Sequence, residues 1–250
     1  MEIEGLCAIV SGGASGLGAA TATMLAERGA RVAIFDIDEQ RGSSVAGAIG
    51  GLFVHGSVAD EAAVEAAFHA VHSELGIARI LVNCAGIAPS INLLRPHGPH
   101  PLDAFKRTLE VNLVGTFLMI RSFASWVTTE PIIDEERGVI INTASIAAFE
   151  GYVGQAAYAS SKAGVVGMTL PLARELCAHA IRVMTIAPGL FATAMLANVP
   201  GNGLLGSQVP HPSRLGKPEE FANLVEAIIR NPMLNAEVIR LDAGLRLPPQ

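Results

Sequence analysis

Tyr158 and Lys162 stand four residues apart in "AAYASSKAGVVGM", with Ala159, Ser160 and Ser161 between them. On a helix that spacing puts both side chains on one face. An ammonium beside a phenol favours the ionised phenol and lowers its pKa from about 10. Tyr158 would then be a proton-transfer group near neutral pH. A surface tyrosine and lysine that are merely neighbours fit the same spacing, so the surrounding elements must decide.

The first of these is "SGGASGLG", residues 11–18, which follows the apolar run "LCAIVS" and opens a helical pattern. Gly12, Gly16 and Gly18 permit a tight turn, close backbone approach to a phosphate and close helix packing. Ser15 and Leu17 share that loop, and the N–H groups of the helix start would face a pyrophosphate. The second apolar run ends in Asp36, 18 residues beyond Gly18. An acid near that separation binds the adenosine ribose hydroxyls. Its charge would repel the extra phosphate of NADP, and no arginine adjoins it in sequence, so NAD is the expected cofactor. Two hydrolase patterns fail: "GASGL" has Leu17 where a nucleophile elbow needs glycine, and Ala159 stands where Ser-x-x-Lys needs serine.

The elements that must position these groups alternate along the chain. Strand-like runs fall at 6–11, 31–36, 52–56, 79–83, 138–144, 181–187 and 237–242, and helical spacing at 17–28, 60–75, 102–126, 158–177 and 217–230. Alternation of this kind predicts a parallel sheet with helices on both faces. Continuous apolar strands agree with a sheet covered on both sides. With no internal repeat or linker, residues 1–250 read as a single domain. The Pro- and Gly-rich segment 197–218 breaks the pattern and reads as a substrate lid, with the lid region as a whole at about 190–216.

Composition narrows the function. Half of the 250 residues are apolar, 16% are charged and the net charge is −6. Without a Lys/Arg cluster, nucleic acid is not an expected partner. Cys7, Cys84 and Cys177 are too dispersed for a disulfide framework or a metal site, and His97 and His100 lack further ligands at metal spacing. The acidic start "MEIEGLCAIV" is unlike a signal or transit peptide. The longest apolar run, 183–199, is interrupted by Pro188-Gly189 and reads as strand and loop rather than a membrane span. A cytoplasmic protein is expected.

Taken in order, "SGGASGLG", "NCAG" (83–86), Ser145 and Tyr158-x-x-x-Lys162 resemble the short-chain dehydrogenase/reductase family over residues 5 to about 245. The resemblance implies a Rossmann-type doubly wound α/β fold with a seven-stranded parallel sheet. It also implies that Tyr158 is the general base for alcohol oxidation and that Lys162 lowers its pKa and holds the nicotinamide ribose. Ser145 would hydrogen-bond the reacting oxygen, and Asn112 in "EVNLVGTF" would hold a water that relays protons. Pro188, Gly189, Phe191 and Thr193 would contact the nicotinamide side. Asn83, Ala85 and Gly86 would shape the backbone near the adenosine, with Cys84 a small packing residue. Ser57-Val58 stands where the family often carries Asp-Val, so weaker adenine contact and reduced cofactor affinity are expected.

Longer stretches, among them "GVIINTASIAAFEGYVGQAAYASSKAG" and "IRVMTIAPGLFATAML", are similar to the type-2 3-hydroxyacyl-CoA dehydrogenase branch. That likeness implies NAD-linked oxidation of (S)-3-hydroxyacyl-CoA to the 3-oxo thioester by a homotetramer. The insert 88–103 and the lid would border the acyl pocket, with Arg214 and Lys217 as a basic mouth for CoA. Tyr152 stands where such relatives tend to carry glutamine, which would narrow the pocket or change its hydrogen bonding. Oxidation of a hydroxysteroid or another bulky alcohol is the alternative. A catalytically silent dinucleotide sensor or scaffold is the reading from a different class.

Overall fold

The computed structural model describes residues 1–197 and 202–247, and its apolar runs lie side by side as one parallel sheet. In chain order the elements are β1 (Cys7–Ser11), α1 (Gly16–Glu27), β2 (Arg31–Asp36), α2 (Glu39–Ile49), β3 (Leu52–His55), α3 (Glu61–Leu75) and β4 (Ala78–Asn83). A small antiparallel hairpin follows, β5 (Leu94–Arg95) with β6 (Gly98–Pro99). Then come α4 (Leu102–Leu109), α5 (Gly115–Val127), β7 (Gly138–Thr143), α6 (Ala156–Leu176), β8 (Ile181–Pro188), α7 (Ala194–Ala197), α8 (Pro218–Arg230) and β9 (Val238–Leu241). The strand order is β3-β2-β1-β4-β7-β8-β9, which is the expected seven-stranded Rossmann-type sheet in a single domain.

Alternation within the strands builds two cores. Ala8 and Val10 of β1 pack with Leu25 of α1 and Phe221, Val225 and Ile229 of α8. On the other face Cys7 and Ile9 pack with Phe68 of α3, Met119 and Phe123 of α5, and Leu176 of α6. Each fully buried Phe or Ile contributes roughly 1.5–3 kcal/mol by leaving water. Helix starts are fixed locally: the Asp60 side chain accepts from the N–H groups of Ala62 and Ala63 at 3.0 and 3.2 Å, capping α3.

Three features depart from the expected elements. Helix α2 escapes the periodicity because "EQRGSSVAGAI" carries two glycines and two serines and buries only Gly42 and Ala46. The helix expected over 102–126 is interrupted by a π-helical segment at Glu110–Val114, which contains Asn112. The insert 88–103 contains the short hairpin, with Leu93 and Leu94 exposed.

Strand order reverses between β1 and β4, the point where open α/β sheets bind ligands at their carboxyl ends. Gly12 follows β1 there and Cys84 follows β4.

Candidate active site

Gly12 leaves β1 at φ +69°, a left-handed conformation that suits glycine, and a Cβ on it would lie 2.5 Å from the Ala85 backbone nitrogen. A Cβ on Gly18 would run into the Gly12 carbonyl oxygen. Helix α1 can therefore start tight against this turn. No acidic residue lies in its first turn, and Ser15 makes no side-chain cap there. The free N–H groups at this end suit a phosphate group. Asp36 is held at the end of β2, where Oδ2 accepts from Ala14 N and Oδ1 from Asp38 N, both at 3.0 Å.

A cavity of about 970 Å³ runs from this turn to the end of β8. Every residue expected to hold the dinucleotide lines it, from Gly12 and Asp36 to Phe191 and Thr193, except Asn83. The Asn83 side chain turns into the core instead. It accepts from Ser11 Oγ at 3.2 Å and donates to Asn142 Oδ1 at 2.9 Å, bracing β1, β4 and β7. Ser57 lines the cavity while its Oγ accepts from Ala59 N at 3.2 Å, which leaves the hydroxyl proton free to donate. Asp38 and Glu39 make the adenosine end acidic, and Arg41 lines it too, with its Nε on Asp38 at 2.7 Å. Ile37, 64% exposed beside Asp36, is a lining residue that sequence reasoning missed. An apolar residue directly after the strand-end acid was the available signal. The cradle, the open helix start and the oriented carboxylate fit a nicotinamide dinucleotide.

At the other end Ser145, Tyr158 and Lys162 meet. Ser145 follows β7 and accepts from Ala147 N at 3.1 Å through its hydroxyl oxygen. Lys162 is buried in α6, with Nζ 5.9 Å from the Tyr158 ring centroid and donating to the Thr143 carbonyl at 2.8 Å. Burial pushes the Tyr158 phenol up, and only the Ser145 hydroxyl opposes it. Burial also pushes the Lys162 ammonium down, to about 8. The expected lowering of the tyrosine pKa is therefore not met in the protein alone, because desolvation outweighs the Ser145 hydrogen bond and Lys162 is not among the groups that shift the phenol. Cys84 lines the same wall, its thiol pushed up to about 11 by burial, which suits a packing residue.

Asn112 does not line the cavity. Its Oδ1 accepts from Ile87 N at 2.8 Å, and its Nδ2 donates to Ile87 O at 2.8 Å and to Ser161 Oγ at 3.0 Å. It clamps the chain after β4 to α6, behind the wall that Gly86 forms. The expected basic mouth does not form: Arg214 is spent on a two-point ion pair with Glu220, at 2.8 and 2.6 Å, and neither Arg214 nor Lys217 lines the cavity. Of the expected lid, residues 198–201 lie outside the described residues, while Met195, Leu196, Leu205 and Gln208 line the cavity. Ser90 of the insert, Arg107, Tyr152 and Gln155 complete this end.

The family model for short chain dehydrogenases matches residues 6–202, and the chain belongs to that family. Within it, the human 3-hydroxyacyl-CoA dehydrogenase type-2 is 50% identical over 255 residues, covering 99% of this chain and 98% of that protein. The rat protein of the same name is 49% identical over the same shares. A solved 3-hydroxyacyl-CoA dehydrogenase type-2 from Mycobacterium avium has a TM-score of 0.92 at 38% identity, covering 100% of both chains. A 3-ketoacyl-(acyl-carrier-protein) reductase from Brucella melitensis, complexed with NADH, has a TM-score of 0.88 at 31% identity, covering 98% of this chain and 100% of that one. The chain is thus an oxidoreductase that uses a nicotinamide dinucleotide on a small-molecule substrate. No helix among the described residues is long and apolar enough to cross a membrane.

Proposed function

We propose that this protein oxidises a secondary alcohol to a ketone with NAD, the alcohol being an (S)-3-hydroxyacyl-CoA. The observation that carries the reading is the convergence of Ser145, Tyr158 and Lys162 on the cavity that also holds the glycine turn and Asp36. The bound nicotinamide supplies the acceptor for the hydride that leaves the carbinol carbon. Tyr158 takes the hydroxyl proton in its phenolate form, Ser145 donates a hydrogen bond to the oxygen as its charge develops, and Lys162 holds ribose hydroxyls while keeping positive charge near the phenolate. Asn112 acts by fixing Ile87 against Ser161, which keeps the wall behind Lys162 in place. The acidic group of Asp36, Asp38 and Glu39 favours NAD over NADP.

Relatives at about half identity over the whole chain support the thioester as substrate. The cavity volume of about 970 Å³ also leaves room for a hydroxysteroid, the second reading. Exposed Val114 and Phe117 near α5 and Leu170 on α6 offer apolar surface for a homotetramer. Three free cysteines agree with a reducing, cytoplasmic setting. NADH formation with purified protein tests the activity: turnover of hydroxyacyl-CoAs supports the thioester assignment, and turnover of steroids alone replaces it.

A further inference from the structure

Glu150 lies between Ser145 and Tyr158 in sequence, yet its partners come from the far end of the chain. Its carboxylate takes Arg240 Nη1 at 2.8 Å and Arg246 Nε at 3.3 Å, and Glu150 Oε2 accepts the Leu247 backbone N–H at 3.0 Å. Asp242 closes the cluster, with Oδ2 2.7 Å from Arg240 and 3.2 Å from Arg246, and Oδ1 accepting from Gly244 N at 3.0 Å. The Arg240 guanidinium also covers the Phe149 ring at 5.4 Å and donates to the Leu245 carbonyl at 3.0 Å. Asp242 is 8% exposed and Glu150 21%, so these charges are better shielded than an ordinary surface pair. Hydrogen bonds from Arg240 lead the causes that hold Glu150 below the usual carboxylate range.

What the cluster positions is a piece of cavity wall. Leu245 is buried, and Leu247 lines the cavity together with Tyr152, Val153 and Met195. Tyr152 and Val153 follow closely after Glu150, so one carboxylate fixes the two sides of this corner relative to each other. The strand that carries Arg240 is hydrogen-bonded to β8, and Gly189 at the end of β8 donates to Leu241 O at 2.9 Å. The tail is thereby registered to the residues beside the reacting end.

We propose that the segment from Asp242 to Leu247 is a wall of the substrate pocket tied down by Glu150, with Glu150 a positioning residue and Leu247 a determinant of substrate size. The inference rests on the alcohol-oxidation reading for its kinetic readout only. Its ligand is the apolar portion of the substrate beyond the carbinol carbon; the dinucleotide does not depend on it.

Two variants test it. Glu150→Gln keeps the side-chain size and an oxygen for Leu247 N–H but loses both ion pairs. Leu247→Ala leaves the cluster intact and removes the wall side chain. Amide hydrogen exchange over residues 243–247 is expected to quicken by about tenfold in Glu150→Gln and to stay near wild type in Leu247→Ala. With short and long (S)-3-hydroxyacyl-CoAs, or a short and a bulky form of whichever alcohol the wild type oxidises, both variants should shift the long-to-short ratio of kcat/KM by about fivefold. The KM for NAD should stay within about twofold. Unchanged exchange in Glu150→Gln overturns the tether, whatever the substrate proves to be. Faster exchange with an unchanged size preference overturns the wall.

Discussion

The Lys162 ammonium donates to the Thr143 carbonyl at 2.8 Å and lies 5.9 Å from the Tyr158 ring centroid, so it is anchored to β7 rather than to the phenol. Sharing a helical face has brought the two groups into one pocket, but burial governs their protons in the protein alone. The phenol is pushed up and the ammonium down.

Only two tyrosines, Tyr152 and Tyr158, contribute to tyrosinate absorbance. The difference titration between wild type and Tyr158→Phe is expected to show Tyr158 ionising above its ordinary value of 10.0 in the protein alone. A difference midpoint below that value would contradict the dominance of burial. The same variant should lose about 10²–10⁴-fold in turnover, the usual contribution of a positioned proton-transfer group, while still binding dinucleotide.

Lys162 makes a signed prediction about stability. Its folded pKa, about 8, lies below the ordinary 10.5. Between those values the unfolded chain binds more protons, so stability rises with pH across that window, and below it the cost of burying the charge is constant. Replacing Lys162 with methionine should abolish turnover, flatten this rise and leave the protein at least as stable as wild type at pH 7. Unfolding midpoints measured from pH 7 to 10 read both curves. A sharply destabilised Lys162→Met would show that the bond to Thr143 outweighs the desolvation.

Asp36 offers a cofactor test. Asp36→Ala removes one of the acidic groups at the adenosine end and the acceptor for Ala14 N and Asp38 N. The KM for NAD should rise about tenfold, equivalent to losing roughly 1.4 kcal/mol, while that for NADP rises less or falls. Steady-state kinetics with both dinucleotides measure the ratio, and an unchanged ratio would remove Asp36 from selection.

Asn112→Ala would strip partners from Ile87 N, Ile87 O and Ser161 Oγ together. Leaving buried polar groups unpaired costs about 1–3 kcal/mol each before relaxation. A loss of about 3 kcal/mol in denaturant unfolding is expected, with turnover falling alongside. Full stability with lost turnover would instead favour the water-holding role.

The sheet and the glycine turn were legible because their signals are local. A continuous apolar strand, a turn needing positive φ and an acid at a fixed distance can each be read from a short window. Tyr158 and Lys162 were legible as a pair for the same reason. Their proton affinities were not, since burial depends on α6 docking against β7 and β8, which no window contains. Asn83 and Asn112 show the limit from another side: both sit in recognisable motifs, but their side chains brace the scaffold. Helix α2 was lost because its glycines and serines dilute the apolar period, its start being set by the Asp38 cap. The Glu150 cluster joins residues about 90 positions apart and left no trace in sequence spacing.

The decisive measurement is NADH formation by the purified wild-type protein with NAD and (S)-3-hydroxybutyryl-CoA, with Tyr158→Phe run in parallel and a hydroxysteroid as competitor substrate. Turnover of the thioester is expected to depend on NAD and to collapse in the variant. Turnover that survives Tyr158→Phe would show that this phenol is not the base.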